Sequence, residues 1–224
     1  GNWSGDLVAY PIDTTTGAVN TASPIWATSA QAQLDLRTAA SRKIVTYTGT
    51  SGTGQGIQFQ PTSAGTTTKL SSAQQTLLNS PSLTDGATVL AYLRGDRAGE
   101  GTTYRTRTHV LGDIINAEAV VVGVPVFNYG DTGYSTFKTN QASRTKVVFQ
   151  GANDGMLHAF TASSGAENWA YIPNLLMGSL NNLSRKSGFT HKFYVDGTPV
   201  VGDIDFNKTN GASGAADWHT ILVG

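Results

Sequence analysis

Residues 151–173 constrain the fold more than any other stretch of this chain. Lys146-Val147-Val148-Phe149-Gln150, just ahead of them, is short, β-branched and aromatic, as strands are. Asn153-Asp154-Gly155 then supplies a tight turn, because Asn and Gly tolerate the positive φ that joins twisted antiparallel strands. Met156/His158/Phe160 and Leu157/Ala159 alternate, as the two faces of a strand packed on both sides would. Ser163-Ser164-Gly165 turns the chain again, and Trp169-Ala170-Tyr171-Ile172 forms a third strand stopped by Pro173. Three short strands and two tight turns within thirty residues are an antiparallel meander, most of one propeller blade.

The same frame, Gly-x-Leu-x-Ala-aromatic followed by a turn ending in Gly and then a Trp, occurs at Gly5-Asp6-Leu7-Val8-Ala9-Tyr10, Gly17 and Trp26. Internal similarity on strand-turn-strand units is the signature of radial repeats. The expected fold is therefore all-β: a partial, modified propeller of antiparallel blades, about three blades' worth, filling 1–224. Strands are expected at 5–10, 43–47, 56–60, 118–123, 146–150, 156–161, 168–172, 198–203 and 219–223. Leu157, Ala159, Phe160, Val148, Val121, Val201 and Leu222 are expected to be buried between sheets. Residues 71–110 are read as an insertion, helical and then loop, since Ser71 is an N-cap and Leu83, Ala87, Leu90 and Ala91 recur at helical spacing. That insertion is expected to hold two short helices within 71–93, a further helix is expected at 175–183, and 126–145, with Tyr129, Tyr134 and Phe137, is expected as a polar-aromatic loop. The chain opens in the middle of a repeat, so it reads as a piece of a longer protein, expected to associate through uncovered blade edges.

Of 224 residues 39% are hydrophobic and 13% charged, enough to bury a core. Fifteen basic and fifteen acidic side chains balance, which gives no electrostatic case for nucleic acid. No apolar run reaches membrane-spanning length. Without cysteine there is no disulfide framework, zinc finger or thiol nucleophile.

Motifs for hydrolase, metalloprotease and phosphate-binding chemistry are missing. The glycine-rich stretch 49–56 precedes a strand rather than a helix, which makes it a hairpin loop. His109, His158, His191 and His219 have no second ligand at metal-binding spacing. Asp113, Asp154 and Asp203 sit beside glycines and, with Asp196, read as turn formers rather than a catalytic carboxylate pair. Asp203-Ile204-Asp205-Phe206-Asn207 begins like a calcium loop, with Asp203, Asp205 and Asn207 as candidate ligands. It departs from the pattern at position six, Lys208 for Gly, and at position twelve, Gly214 for Glu. Arg94-Gly95-Asp96 matches the tripeptide read by integrins, against the alternative that Arg94 and Asp96 end a helix and pair with neighbours.

The ordered set Leu93-Arg94-Gly95-Asp96, Leu111-Gly112-Asp113-Ile114, Gly151-Ala152-Asn153-Asp154-Gly155-Met156-Leu157-His158-Ala159-Phe160, Ala170-Tyr171-Ile172-Pro173, Val195-Asp196-Gly197 and Trp218-His219-Thr220-Ile221-Leu222-Val223-Gly224 resembles the C-terminal propeller of the PilC/PilY family. Those are type IV pilus biogenesis and tip-associated adhesin proteins. The resemblance is strong over 90–224 and loose over 1–60. It implies a non-catalytic module that supports pilus extension, attachment and twitching motility. The implied partners are minor pilins or other pilus-tip components and a host surface receptor, and the implied place is the cell surface, at the pilus tip or outer membrane. No cofactor is read from the segment itself, although the family implies a calcium-binding loop. The alternative is a fragment of a quinoprotein (PQQ-type) dehydrogenase propeller, whose repeats the Gly-x-Leu-x-Ala-aromatic frame also resembles.

Overall fold

The computed structural model describes residues 3–49, 53–208 and 215–224. At its centre is the expected meander, extended to four strands: β3 (Val120–Val122), β4 (Val147–Ala152), β5 (Met156–Thr161) and β6 (Glu167–Tyr171), each antiparallel to the next. Both tight turns need glycine, since Gly155 has φ 90° and Gly165 φ 76°. A hairpin of β1 (Ile44–Tyr47) and β2 (Gly56–Gln58) joins the far side of β6, giving the order β2-β1-β6-β5-β4-β3. Its loop includes residues 50–52, which lie outside the described residues, so the reading of 49–56 stays open there.

The β1–β6 pair is parallel, with Ile44 opposite Ala170 and Val45 opposite Tyr171. It is a departure from the all-antiparallel expectation. The Ala170 N–H donates to the Lys43 carbonyl at 2.9 Å and the Ile172 N–H to Val45 at 2.9 Å. A second sheet is the antiparallel hairpin β7 (Val200–Asp205) and β8 (Trp218–Val223). The described residues are an all-β framework of largely antiparallel sheets and little helix, without a closed propeller ring.

Two cores flank the meander. One packs Ile44, Ile57, Phe59, Ala170 and Ile172 against Leu70 and Leu78, on either side of α2 (Ser72–Leu77), and against α3 (Gly86–Leu93). Ser71 caps α2 through a reciprocal pair with Gln74, and α3 buries Val89, Leu90, Tyr92 and Leu93. The other core gathers Val148, Ala152 and Phe160 with Val110, Leu111, Trp26 and α1 (Ala30–Asp35).

Residues 5–10 are not a strand. The Leu7 and Ala9 carbonyls accept from Ala30 (3.0 Å) and Ile25 (2.7 Å), so the segment is spent on its own downstream chain and has no strand partner. Trp26 closes over the β5–β6 turn instead: its indole N–H donates to the Ala162 carbonyl at 2.8 Å, and a Cβ on Gly165 would lie 2.6 Å from the ring. The similar frame therefore makes a strap over the blade, not a second blade. Residues 126–145 contain α4 (Tyr134–Asn140), and 175–183 form two 3-10 turns, Asn174–Leu176 and Leu180–Ser184, rather than one helix.

Val148, Ala159 and Phe160 are buried as expected, whereas Val121 is 59% exposed, on the opposite face of β3 from the half-buried Val120 and Val122. Leu157, Val201 and Leu222 are half-buried. Phe160→Ala should therefore cost about 3–5 kcal/mol of stability, the range for a fully buried aromatic. Leu157→Ala should cost less than that, about 2 kcal/mol, because part of its side chain already faces water. Denaturant unfolding of the two variants checks the order, and equal losses would contradict the assigned faces.

Candidate functional site

The least expected feature is a chain of charges buried beneath the meander. Arg42, just before β1, grips Glu167 at the start of β6 with two bonds, Nε to Oε2 at 2.9 Å and Nη2 to Oε1 at 2.7 Å. Glu167 Oε1 lies 2.9 Å from Nδ1 of His158 on β5, which is 0% exposed. His158 Nε2 in turn meets both oxygens of Asp154, at 3.1 and 3.2 Å. Asp154 sits in the β4–β5 turn and also accepts from the Gly112 and Met156 backbone N–H groups, at 3.1 and 3.2 Å. Only glycine fits at 112, where a Cβ would lie 2.3 Å from the Asp154 nitrogen.

An imidazole with a carboxylate at each nitrogen has no acceptor work to do, so it holds both protons. Burial pushes His158 down, but Asp154 and Glu167 outweigh it and raise the group to about 9. For Glu167, burial pushes up, while the Arg42 guanidinium and His158 hold the carboxyl well below the usual range. The chain continues through Arg42 Nη1 to the Arg94 carbonyl at 3.1 Å.

The candidate integrin tripeptide, Arg94-Gly95-Asp96, is not laid out as an exposed pair of charges. Arg94 is 5% exposed, and its guanidinium donates to the carbonyls of Phe59 (2.8 Å), Ala39 (2.7 Å) and Arg42 (2.8 Å). Asp96 is exposed and accepts from the Ala98 N–H at 2.9 Å. With Arg94 turned inward and Gly95 buried, the fold does not present the two charges together to a receptor. The helix-ending alternative describes what is seen, since Arg94 is the C-cap of α3.

Two of the four aspartates, Asp113 and Asp154, line one small cavity of about 30 Å³, and a third, Asp196, is tied to it through Asn153. Asp113 receives Asn153 at 3.1 Å and lies 2.8 Å from His191 Nε2; Asn153 also reaches Asp196 at 3.4 Å. Trp3 stacks on His191, ring centroids 4.1 Å apart, and covers this corner. Each of these carboxylates has donors from its own chain, and Asp154 caps its own turn through Met156, as a turn former does. All four histidines face a carboxylate: His109 meets Asp35 and His219 meets Asp217.

The described part of the candidate calcium loop does not fit the ion. Asp203 accepts from the Tyr134 and Thr220 hydroxyls, both at 2.6 Å, and Asp205 from the Asn207 and Asp217 backbone at 3.1 and 2.8 Å. The Asn207 amide donates to the Ala215 carbonyl at 2.8 Å. No cluster of three His, Asp or Glu able to hold a metal occurs among the described residues. Residues 209–214, the second half of that loop, lie outside them.

Glu167→Gln leaves Arg42 and His158 buried without a full counter-charge and should cost about 3–5 kcal/mol, seen as a fall in the unfolding midpoint. The folded pKa of His158 is raised, so its contribution is complete below pH 6.5 and lost as pH climbs toward about 9. That loss is on the order of 3 kcal/mol. Glu167 is lowered, so its contribution is present above the ordinary carboxylate value and lost in acid. Unfolding free energies from about pH 6 to 10, the span of the His158 effect, should therefore slope down on the alkaline side, and His158→Gln should flatten that slope.

Comparison with known proteins agrees with the fold. The family described as the PilY1 beta-propeller domain matches residues 111–224. A type IV pilus biogenesis factor PilY1 of Pseudomonas aeruginosa strain PAK is 38% identical over the whole chain, which spans 19% of that protein. A PilY1 homolog of Xylella fastidiosa is 32% identical, again over the whole chain and 16% of its own length. The chain thus spans about a fifth of the length of the curated relatives it matches. No solved structure matches it at a significant level. With a four-stranded blade at its centre and more than half its length inside the matched domain, the chain belongs to the PilY1 β-propeller family.

Proposed function

We propose that this chain is a non-catalytic part of a type IV pilus biogenesis factor and works through protein–protein contacts. The observation that carries the proposal is the 38% identity, along its entire length, to proteins named for that role. In this reading the segment contacts minor pilins or other pilus-tip components at the cell surface and supports pilus extension, attachment and twitching.

The geometry supports a scaffold that offers faces. Arg42, Glu167, His158 and Asp154 spend their charged atoms on one another, which fixes the blade without leaving a group aimed at solvent. Outside, Leu175 and Val223 are exposed beside half-buried Leu157 and Leu222, along a groove of about 510 Å³ between the meander and the β7–β8 hairpin. Apolar surface of this kind, rimmed by polar residues, marks contact sites. Arg94-Gly95-Asp96 lends no support to a host receptor, for the reason given above.

Removing residues 111–224 from the parent gene should abolish surface pili and twitching zones. Leu175→Asp with Val223→Asp should reduce both while the parent protein accumulates normally. Unchanged piliation and twitching in the deletion strain would overturn the proposal. So would quinone-dependent dye reduction by the purified protein with calcium, the result expected of a dehydrogenase.

A further inference from the structure

An aromatic platform lies away from the buried charges, where α4 meets β8. Phe127 and Tyr129 stack with centroids 5.3 Å apart and planes at 9°, and Tyr129 stacks on Trp218 at 5.8 Å and 18°. Tyr134 meets the indole at 4.8 Å and 63°, and its hydroxyl is anchored on Asp203 at 2.6 Å. The Trp218 N–H donates to the Thr132 carbonyl at 2.9 Å, which fixes the ring in its plane. Gly133, with φ 79°, starts α4 there, and its missing Cβ leaves room for the Ala216 methyl and the indole.

Beside this ring, the described residues form an open pocket of about 440 Å³. That lies within the roughly 300–1,000 Å³ of small-molecule sites. Trp218 and Phe137 give it aromatic walls, and Thr136, Asn140, Gln141 and Asp217 give it polar ones. Thr136 and Asn140 are four residues apart on α4, as are Phe137 and Gln141, so one side of the helix turns both kinds of group toward the pocket. Among the described residues the Thr136 hydroxyl and the Asn140 and Gln141 amides make no hydrogen bond. Asp217 uses one oxygen, on His219 at 2.8 Å.

The charge balance narrows the ligand. Lys138 spends its ammonium on the Phe127 carbonyl at 2.7 Å and the Asn128 side chain at 3.0 Å, and Lys208 pairs with Asp131. Among the described residues no lysine or arginine lines the pocket and one carboxylate does, so an anion is disfavoured. Aromatic rings beside two free amides, a hydroxyl and a carboxylate suit a molecule with a C–H face and many hydroxyls. Pyranose rings have that combination: axial C–H bonds lie against an aromatic ring, and hydroxyls pair with amides and carboxylate.

We propose that this pocket is a binding site for neutral hexopyranose sugars. It stands on the pocket's own chemistry and does not depend on the pilus reading. Saturation-transfer NMR on the full-length protein, with lactose, maltotriose and N,N′-diacetylchitobiose as separate probes, tests it. At least one should receive saturation on its ring C–H protons, and 3′-sialyllactose should bind less well than lactose. The double variant Asn140→Ala/Gln141→Ala removes two neutral hydrogen bonds, at one exposed and one half-buried position, and should weaken binding about tenfold with the fold intact. Trp218→Ala should remove the signal; should that variant fail to fold, the double variant decides alone. No saturation of any of the three neutral sugars, tighter binding of the sialylated one, or wild-type binding by the double variant would overturn the proposal.

Discussion

Arg42 and Glu167 meet in a place almost free of water, and the rest of the molecule is arranged so that they can. Stripping an ion pair of solvent costs several kcal/mol per ion, recovered only where geometry is good and every remaining donor and acceptor is used. Here the guanidinium is bound bidentately, and His158 takes the same carboxylate and passes a proton contact on to Asp154. Asp154 ends on backbone N–H groups of Gly112 and Met156. The four side chains come from the segment before β1, from β5, from β6 and from the turn between β4 and β5. A buried network of this kind favours one arrangement of those pieces, since any shift strands a charge.

Arg94 extends the same logic to the helical layer. Its guanidinium collects carbonyls left over at Phe59, Ala39 and Arg42, where the chain leaves regular structure. Burial and the neighbouring Arg42 lower its pKa, although an arginine keeps its charge throughout the working range. A tripeptide that resembles a recognition motif is thus a joint between α3 and the β1–β2 hairpin. Exposure of that kind cannot be read from three letters of sequence, because it depends on what packs above them.

The meander was legible because its information is local. Asn153-Asp154-Gly155 and Ser163-Ser164-Gly165 set the turns within a few residues, and alternating side chains set the faces. The same frame at Gly5 misled because alternation describes a strand's faces and not its partner; Leu7 and Ala9 found theirs in Ile25 and Ala30. The charge chain was illegible for the opposite reason. Arg42 and Glu167 are 125 positions apart, and neither carries a spacing signal. His158 and Asp154 were visible as residues, but their roles appear only when β1 is laid beside β6. The aromatic pocket was half visible: Tyr129, Tyr134 and Phe137 stood out in the sequence, while α4, which orders them, was hidden by its polar Ser, Thr and Asn content.

The parallel pairing of β1 with β6 imposes an order of events on a growing chain. The meander can close on its own within about fifty residues, whereas β1 must wait for a partner more than a hundred positions away. At roughly 5–20 residues per second of synthesis, that wait is several seconds or longer. Throughout it the Ile44–Tyr47 edge is an unclaimed template for strand addition. Arg42 and Lys43, immediately before it, place two positive charges at the mouth of that edge, and like charges on two such chains repel. The arginine that later vanishes into the interior is, until then, a guard against its own kind.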